Sequence, residues 1–103
     1  MRFLVKAKMD VAAANALAKA GKLGATIQAI LEDQKPEAAY FGAEDGKRTA
    51  YLILDMQDAS QLPAIAEPWF VALSAELEVQ VVMGPADLEK AGPSIERAAK
   101  KYG

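Results

Sequence analysis

The chain has 103 residues, 52% of them hydrophobic, a formal net charge of −2, and neither Cys nor His. Its length indicates one domain, residues 1–103, and its slight acidity argues against nucleic acid, which selects dense Lys/Arg clusters. No thiol or imidazole means no disulfide, no Cys-containing zinc site, no Cys nucleophile, no His-dependent triad and no ordinary general base near neutral pH.

Any catalysis must therefore use carboxylates, Lys, Tyr, Arg or hydroxyls. No EF-hand spacing, Walker loop or G-x-G-x-x-G is present, so no metal or cofactor is expected. No run approaches the ~18 apolar residues of a membrane span. Met1-Arg2-Phe3-Leu4-Val5-Lys6 meets a lysine too early for a signal-peptide core, which predicts a soluble, cytoplasmic protein.

The first predicted element is a strand over Arg2 to Met9, where Phe3, Val5, Ala7 and Met9 alternate with Arg2, Leu4, Lys6 and Lys8. Asp10 reads as the N-cap of a helix over Val11 to Gln34, kinked or broken by Gly21 and Gly24 and ended by Pro36. Two strand-like runs then flank Glu44-Asp45-Gly46, and Asp-Gly is a strong hairpin signal because Gly tolerates positive φ. On the second run, Arg48, Ala50, Leu52, Leu54 and Met56 share one face, and Thr49, Tyr51, Ile53 and Asp55 the other.

A second helix is expected near Asp58 or Ser60, with Asp58 and Gln61 as a capping box and Pro63 in its first turn. Pro68 should break it, leaving a separate turn that carries Trp69 and Phe70. The last strand spans Leu77 to Met83, with Leu77, Val79, Val81 and Met83 on one face. Residues 84–103 form a helical extension: a short turn over Asp87 to Ala91, a break at Gly92-Pro93, and a final helix with Ile95, Ala98, Ala99 and Tyr102 on one face.

The order β-α-β-β-α-β nearly names a fold. Right-handed crossovers put the strands in the order 4-1-3-2, antiparallel, as an α+β ferredoxin-like sheet with both helices on one face. Phe3, Val5, Ala7, Leu52, Leu54, Val79 and Val81 should pack under the helices. The second face carries Leu4, Lys6, Lys8, Tyr51, Ile53, Asp55, Glu78, Gln80 and Val82, and nothing in the chain covers it. So much exposed apolar surface predicts a homodimer with the two sheets face to face. Lys6 and Lys8 should lie between Asp55 and Glu78, either as cross-strand ion pairs or as an anion site inside the dimer.

Gly21-Lys22-Leu23-Gly24, Lys35-Pro36-Glu37-Ala38-Ala39-Tyr40-Phe41, Glu67-Pro68-Trp69-Phe70 and Pro85-Ala86-Asp87-Leu88-Glu89 follow one another across most of the chain. In that order they resemble the domain of unknown function 3303 family. The layout as a whole resembles the dimeric α+β barrel superfamily, whose relatives include muconolactone isomerase, YCII-related proteins and antibiotic-biosynthesis monooxygenases. The resemblance implies paired sheets, with a small apolar or aromatic ligand held between sheet and helices. YCII-like sites use a His with an Asp, and this chain has no His.

The candidate ligand-binding residues are Asn15, Tyr40, Arg48, Tyr51, Trp69 and Phe70. Each has a plainer alternative: Trp69 and Phe70 as a core plug, Asn15 and Arg48 as solvated side chains, and the tyrosines as interface aromatics. Three classes of function follow. One is a dimeric small-molecule binding or structural protein. The second is a cofactor-independent monooxygenase or isomerase acting on an aromatic or enol substrate. The third is a regulatory subunit acting through its C-terminal helix.

Overall fold

A computed structural model describes all 103 residues. The chain forms β1 (Arg2–Lys8), α1 (Val11–Lys19), α2 (Leu23–Gln34), β2 (Ala38–Glu44), β3 (Lys47–Asp55), a 3-10 turn (Ala59–Gln61), α3 (Leu62–Leu73), β4 (Glu76–Val81) and α4 (Pro85–Tyr102). The four strands make one antiparallel sheet in the order β2-β3-β1-β4, which from the opposite edge reads 4-1-3-2.

The local signals act where they stand. Asp45 and Gly46 both have positive φ, 53° and 74°, giving the two-residue turn whose twist matches the flanking strands. Asp10 caps α1 by accepting the Ala13 N–H at 3.0 Å. Asp58 accepts the Ser60 N–H at 2.8 Å, while Gln61 Oε1 accepts the Gln57 and Asp58 N–H groups at 2.8 and 3.3 Å, closing a capping box.

The expected single helix over Val11 to Gln34 is two helices. The chain leaves α1 through Ala20 and turns at Gly21, whose φ of 72° no helix interior permits. Gly24 does not break anything; it lies in the first turn of α2.

Both expected proline breaks are absent. Pro68 sits inside α3 and Pro93 inside an uninterrupted α4. A helical proline deprives the carbonyl four residues earlier of its donor. For Pro68 that carbonyl is Ala64, and the Gln34 side chain supplies the missing donor at 3.2 Å, with a second bond to Ile65 O at 2.8 Å. For Pro93 it is Glu89, on a helix with no buried residue, so that carbonyl is not shut away from solvent.

The core lies between one face of the sheet and α1 to α3. It contains Phe3, Val5 and Ala7 of β1, Ala50, Leu52 and Leu54 of β3, Ala14, Ile30, Ile65 and Leu73 from the helices, and Trp69. Val79 and Val81, expected in this core, are 40% and 61% exposed. The helix layer spans β3 and β1 but reaches only the start of β4, where Leu77 packs against the core.

Candidate functional site

Because the helices stop short of the end of β4, an apolar cleft of about 340 Å³ opens between the sheet and the start of α3. Phe3 and Val79 project into it from the sheet because they alternate with the open-face residues Leu4 and Glu78. Met56 enters from the end of β3, where its N–H donates to Met1 O at 3.0 Å, and Met1 lines the cleft beside it. Leu62 and Ala59 form the opposite wall.

The polar rim is Gln57 and Asp58. The Ser60 backbone N–H and hydroxyl hold Asp58 below the usual carboxylate range, so it is an anion at neutral pH and is occupied in capping. The cleft therefore offers shape, apolar walls and one anionic edge, with no paired acid and base.

The six sequence candidates are dispersed. Trp69 is fully buried, and its Nε1 donates to Gln34 Oε1 at 3.3 Å. Phe70, its neighbour on the helix, points outward and is 43% exposed. Asn15 Oδ1 accepts from Arg48 Nη1 at 2.8 Å on the helix side of the sheet. Tyr40 and Tyr51 are directly opposed on the other side, in the β2–β3 ladder. Of the six, only Arg48 lines a cavity, a recess of about 220 Å³ with Met9, Ile27 and Phe41.

The open face has its own organisation. Lys6 Nζ lies 2.9 Å from Glu44 and 3.7 Å from Glu78. Lys8 Nζ lies 2.9 Å from Asp45, 3.4 Å from Glu44 and 3.9 Å from Glu78. The Tyr51 hydroxyl donates to Glu44 at 3.3 Å. Both ammonium groups are already engaged by carboxylates, which favours ion pairing over an anion site.

The expected flank of Asp55 is incorrect. The register pairs Asp55 with Arg2 and places Tyr51 beside Lys6. Asp55 instead receives the N-terminal amine of Met1 at 2.7 Å, and Glu44 takes its place from β2. Hydrogen bonds from Lys6 and Lys8 hold Glu44 below the ordinary carboxylate range, and Lys8 does the same for Asp45. The Glu44 hydrogen bond raises Lys6, and the Asp45 hydrogen bond raises Lys8. Partial desolvation and the Glu44 charge push Tyr51 up.

The cleft residues Met1, Phe3, Met56, Gln57, Leu62 and Val79 escaped sequence reasoning. Their only signal was that β4 is an edge strand, which leaves its outer residues beyond a narrow helix layer. No three acidic side chains converge as a metal-holding set. No protein-family model matches this chain, and no curated protein matches it.

Proposed function

We propose that this protein is a small homodimeric binding protein that holds an apolar or aromatic metabolite in the cleft bounded by Phe3, Met56, Leu62 and Val79. The observation that carries this reading is the cleft itself. Its volume of about 340 Å³ falls in the size range of small-ligand pockets, ~300–1,000 Å³, and its walls are apolar with a few polar groups at one edge. The open groove between α2 and α3 is larger, about 540 Å³, but it lies on the outer surface of the helix layer.

The dimer in this proposal forms through the sheet face of Leu4, Lys6, Lys8, Tyr51, Ile53, Glu78, Gln80 and Val82. Leu4 lies across from Ile53, and Tyr40 across from Tyr51, so apolar and aromatic pairs adjoin a cluster of mixed charge. Such a patch can be self-complementary about a two-fold axis. The chain is then a ferredoxin-like half of a dimeric α+β barrel, in keeping with its resemblance to the domain of unknown function 3303 family and with a cytoplasmic location. The monooxygenase or isomerase reading has less support, because no cavity joins Asn15, Trp69 and a tyrosine.

Native mass spectrometry of the purified protein tests the binding reading. The expected result is a retained small molecule that is lost in Leu62→Trp, a substitution that fills the cleft from an exposed position. An empty protein that also takes up no apolar fluorescent probe overturns it.

A further inference from the structure

Five cations stand on the strands of the sheet: Arg2, Lys6 and Lys8 on β1, and Lys47 and Arg48 on β3. Four of them are paired. Arg2 meets Glu37 at 2.9 Å, Lys6 meets Glu44 at 2.9 Å, Lys8 meets Asp45 at 2.9 Å and Lys47 meets Glu76 at 3.2 Å. Arg48 alone has no carboxylate within 4.0 Å. Its one side-chain hydrogen bond goes to a neutral group: Nη1 donates to Asn15 Oδ1 at 2.8 Å. Asn15 is a half-buried residue of α1, so this contact joins two elements and fixes where the guanidinium sits. The rest of the planar fork stays free, in the geometry that matches a carboxylate.

Arg48 lines the recess of about 220 Å³ whose other side chains are mostly apolar. The register explains how it arises. Arg48 stands across from Ala43, and Phe41 across from Ala50, so Arg48 and Phe41 are diagonal neighbours on the helix side of the sheet. The two alanines are too small to fill the corner between them. Ile27 of α2 and Met9, whose N–H donates to Arg48 O at 2.8 Å, supply the remaining apolar wall. Phe41 stays 52% exposed, because the helix layer packs on Ala39 of β2 and reaches no farther along that strand. None of the lining residues is acidic. Asp10, next to Met9 in the chain, gives one oxygen to the Ala13 N–H and forms no ion pair.

We infer that this recess is a second ligand site that takes a small aromatic carboxylate, with the carboxylate on Arg48 and the ring against Phe41 and Ile27. Charge selects an anion, since the site offers one unpaired cation and no acid. The fork of Arg48 selects a planar, two-oxygen head group. The half-exposed Phe41 ring selects an apolar, flat body. Size limits that body to about one ring, because the volume lies below the ~300–1,000 Å³ of sites for larger ligands. Asn15 is the positioning residue: it holds Arg48 through a neutral oxygen and leaves the positive charge available. The inference does not rest on the cleft proposed above, whose edge carries the opposite sign in Asp58.

An NMR titration of the isotope-labelled protein tests the site with three probes that share one ring: benzoate, benzamide and benzylammonium. Low ionic strength keeps an exposed charge pair least screened. Benzoate should shift the backbone amides of Gly42 and Thr49, which line the recess, and the Arg48 side-chain N–H. Benzamide should bind about tenfold more weakly, as expected when a charged hydrogen-bond partner becomes neutral, and benzylammonium should leave these signals unmoved. Arg48→Gln should abolish the preference for benzoate. Asn15→Asp supplies the missing carboxylate from within the chain, so it should block benzoate while circular dichroism shows the fold intact. Equal binding of benzoate and benzamide overturns the site, as does benzoate binding that survives Arg48→Gln. Benzoate shifts confined to Phe3, Met56 and Val79 also overturn it and assign the ligand to the cleft. Unchanged benzoate binding in a folded Asn15→Asp variant overturns the positioning role.

Discussion

Gln34 accepts a hydrogen bond from Trp69 Nε1 at 3.3 Å, and its amide nitrogen donates to the Ala64 carbonyl that Pro68 leaves without a helical partner. One side chain at the end of α2 thus lets a proline stay inside α3 and orients the only indole in the chain, which fills the core. Gln34→Ala leaves a buried N–H and a carbonyl unpaired, at an expected cost of about 1–3 kcal/mol in urea unfolding. In a Pro68→Ala background the carbonyl regains its backbone donor, and the cost of Gln34→Ala should fall. Equal costs in both backgrounds would refute the coupling.

Two glycines should respond in opposite directions to alanine. Gly46 has φ 74° in the hairpin turn, so Gly46→Ala should destabilise by about 1–2 kcal/mol through the left-handed backbone alone. Gly24 has no positive φ and no atom near its missing Cβ, so Gly24→Ala should stabilise by about 0.5 kcal/mol. Chemical denaturation of both variants measures the contrast, and a shared sign would contradict it.

The open-face cluster predicts limits to stability at both extremes of pH. Glu44 and Asp45 titrate lower folded than unfolded, so their contribution is full above the unfolded value and is lost as pH falls through the folded one. Lys6 and Lys8 titrate higher folded, so theirs is full below the unfolded lysine value and is lost as pH rises through the folded one. Lys6→Met should raise the Glu44 midpoint in a carboxyl NMR titration. An unmoved midpoint would show that the 2.9 Å pair is not formed in solution.

The sheet face offers a further check. Ile53 is half-exposed in the isolated chain and lies opposite Leu4. Ile53→Asp should leave the fold intact by circular dichroism and shift the light-scattering mass from two chains toward one. A wild-type mass of one chain at micromolar concentration would remove the face-to-face dimer.

What the sequence determined by itself is what a few adjacent residues decide. The Asp45-Gly46 turn, the Asp10 cap, the Asp58–Gln61 box and the alternation of β1 and β3 all depend on partners within a handful of positions. Pro68 could not be read locally, because whether a proline breaks a helix depends on the fate of one carbonyl, and its rescuer lies 30 residues away in Gln34. Of the two expected partners of Lys6, Glu78 is present and Asp55 is not, because alternation reveals a face but not a register: the register puts Asp55 at the end of the strand and Glu44 reaches Lys6 from two strands over. The cleft was invisible for a related reason. Val79 has the same pattern as Val5, yet Val5 is fully buried and Val79 is not, because only the width of the helix layer decides where cover ends.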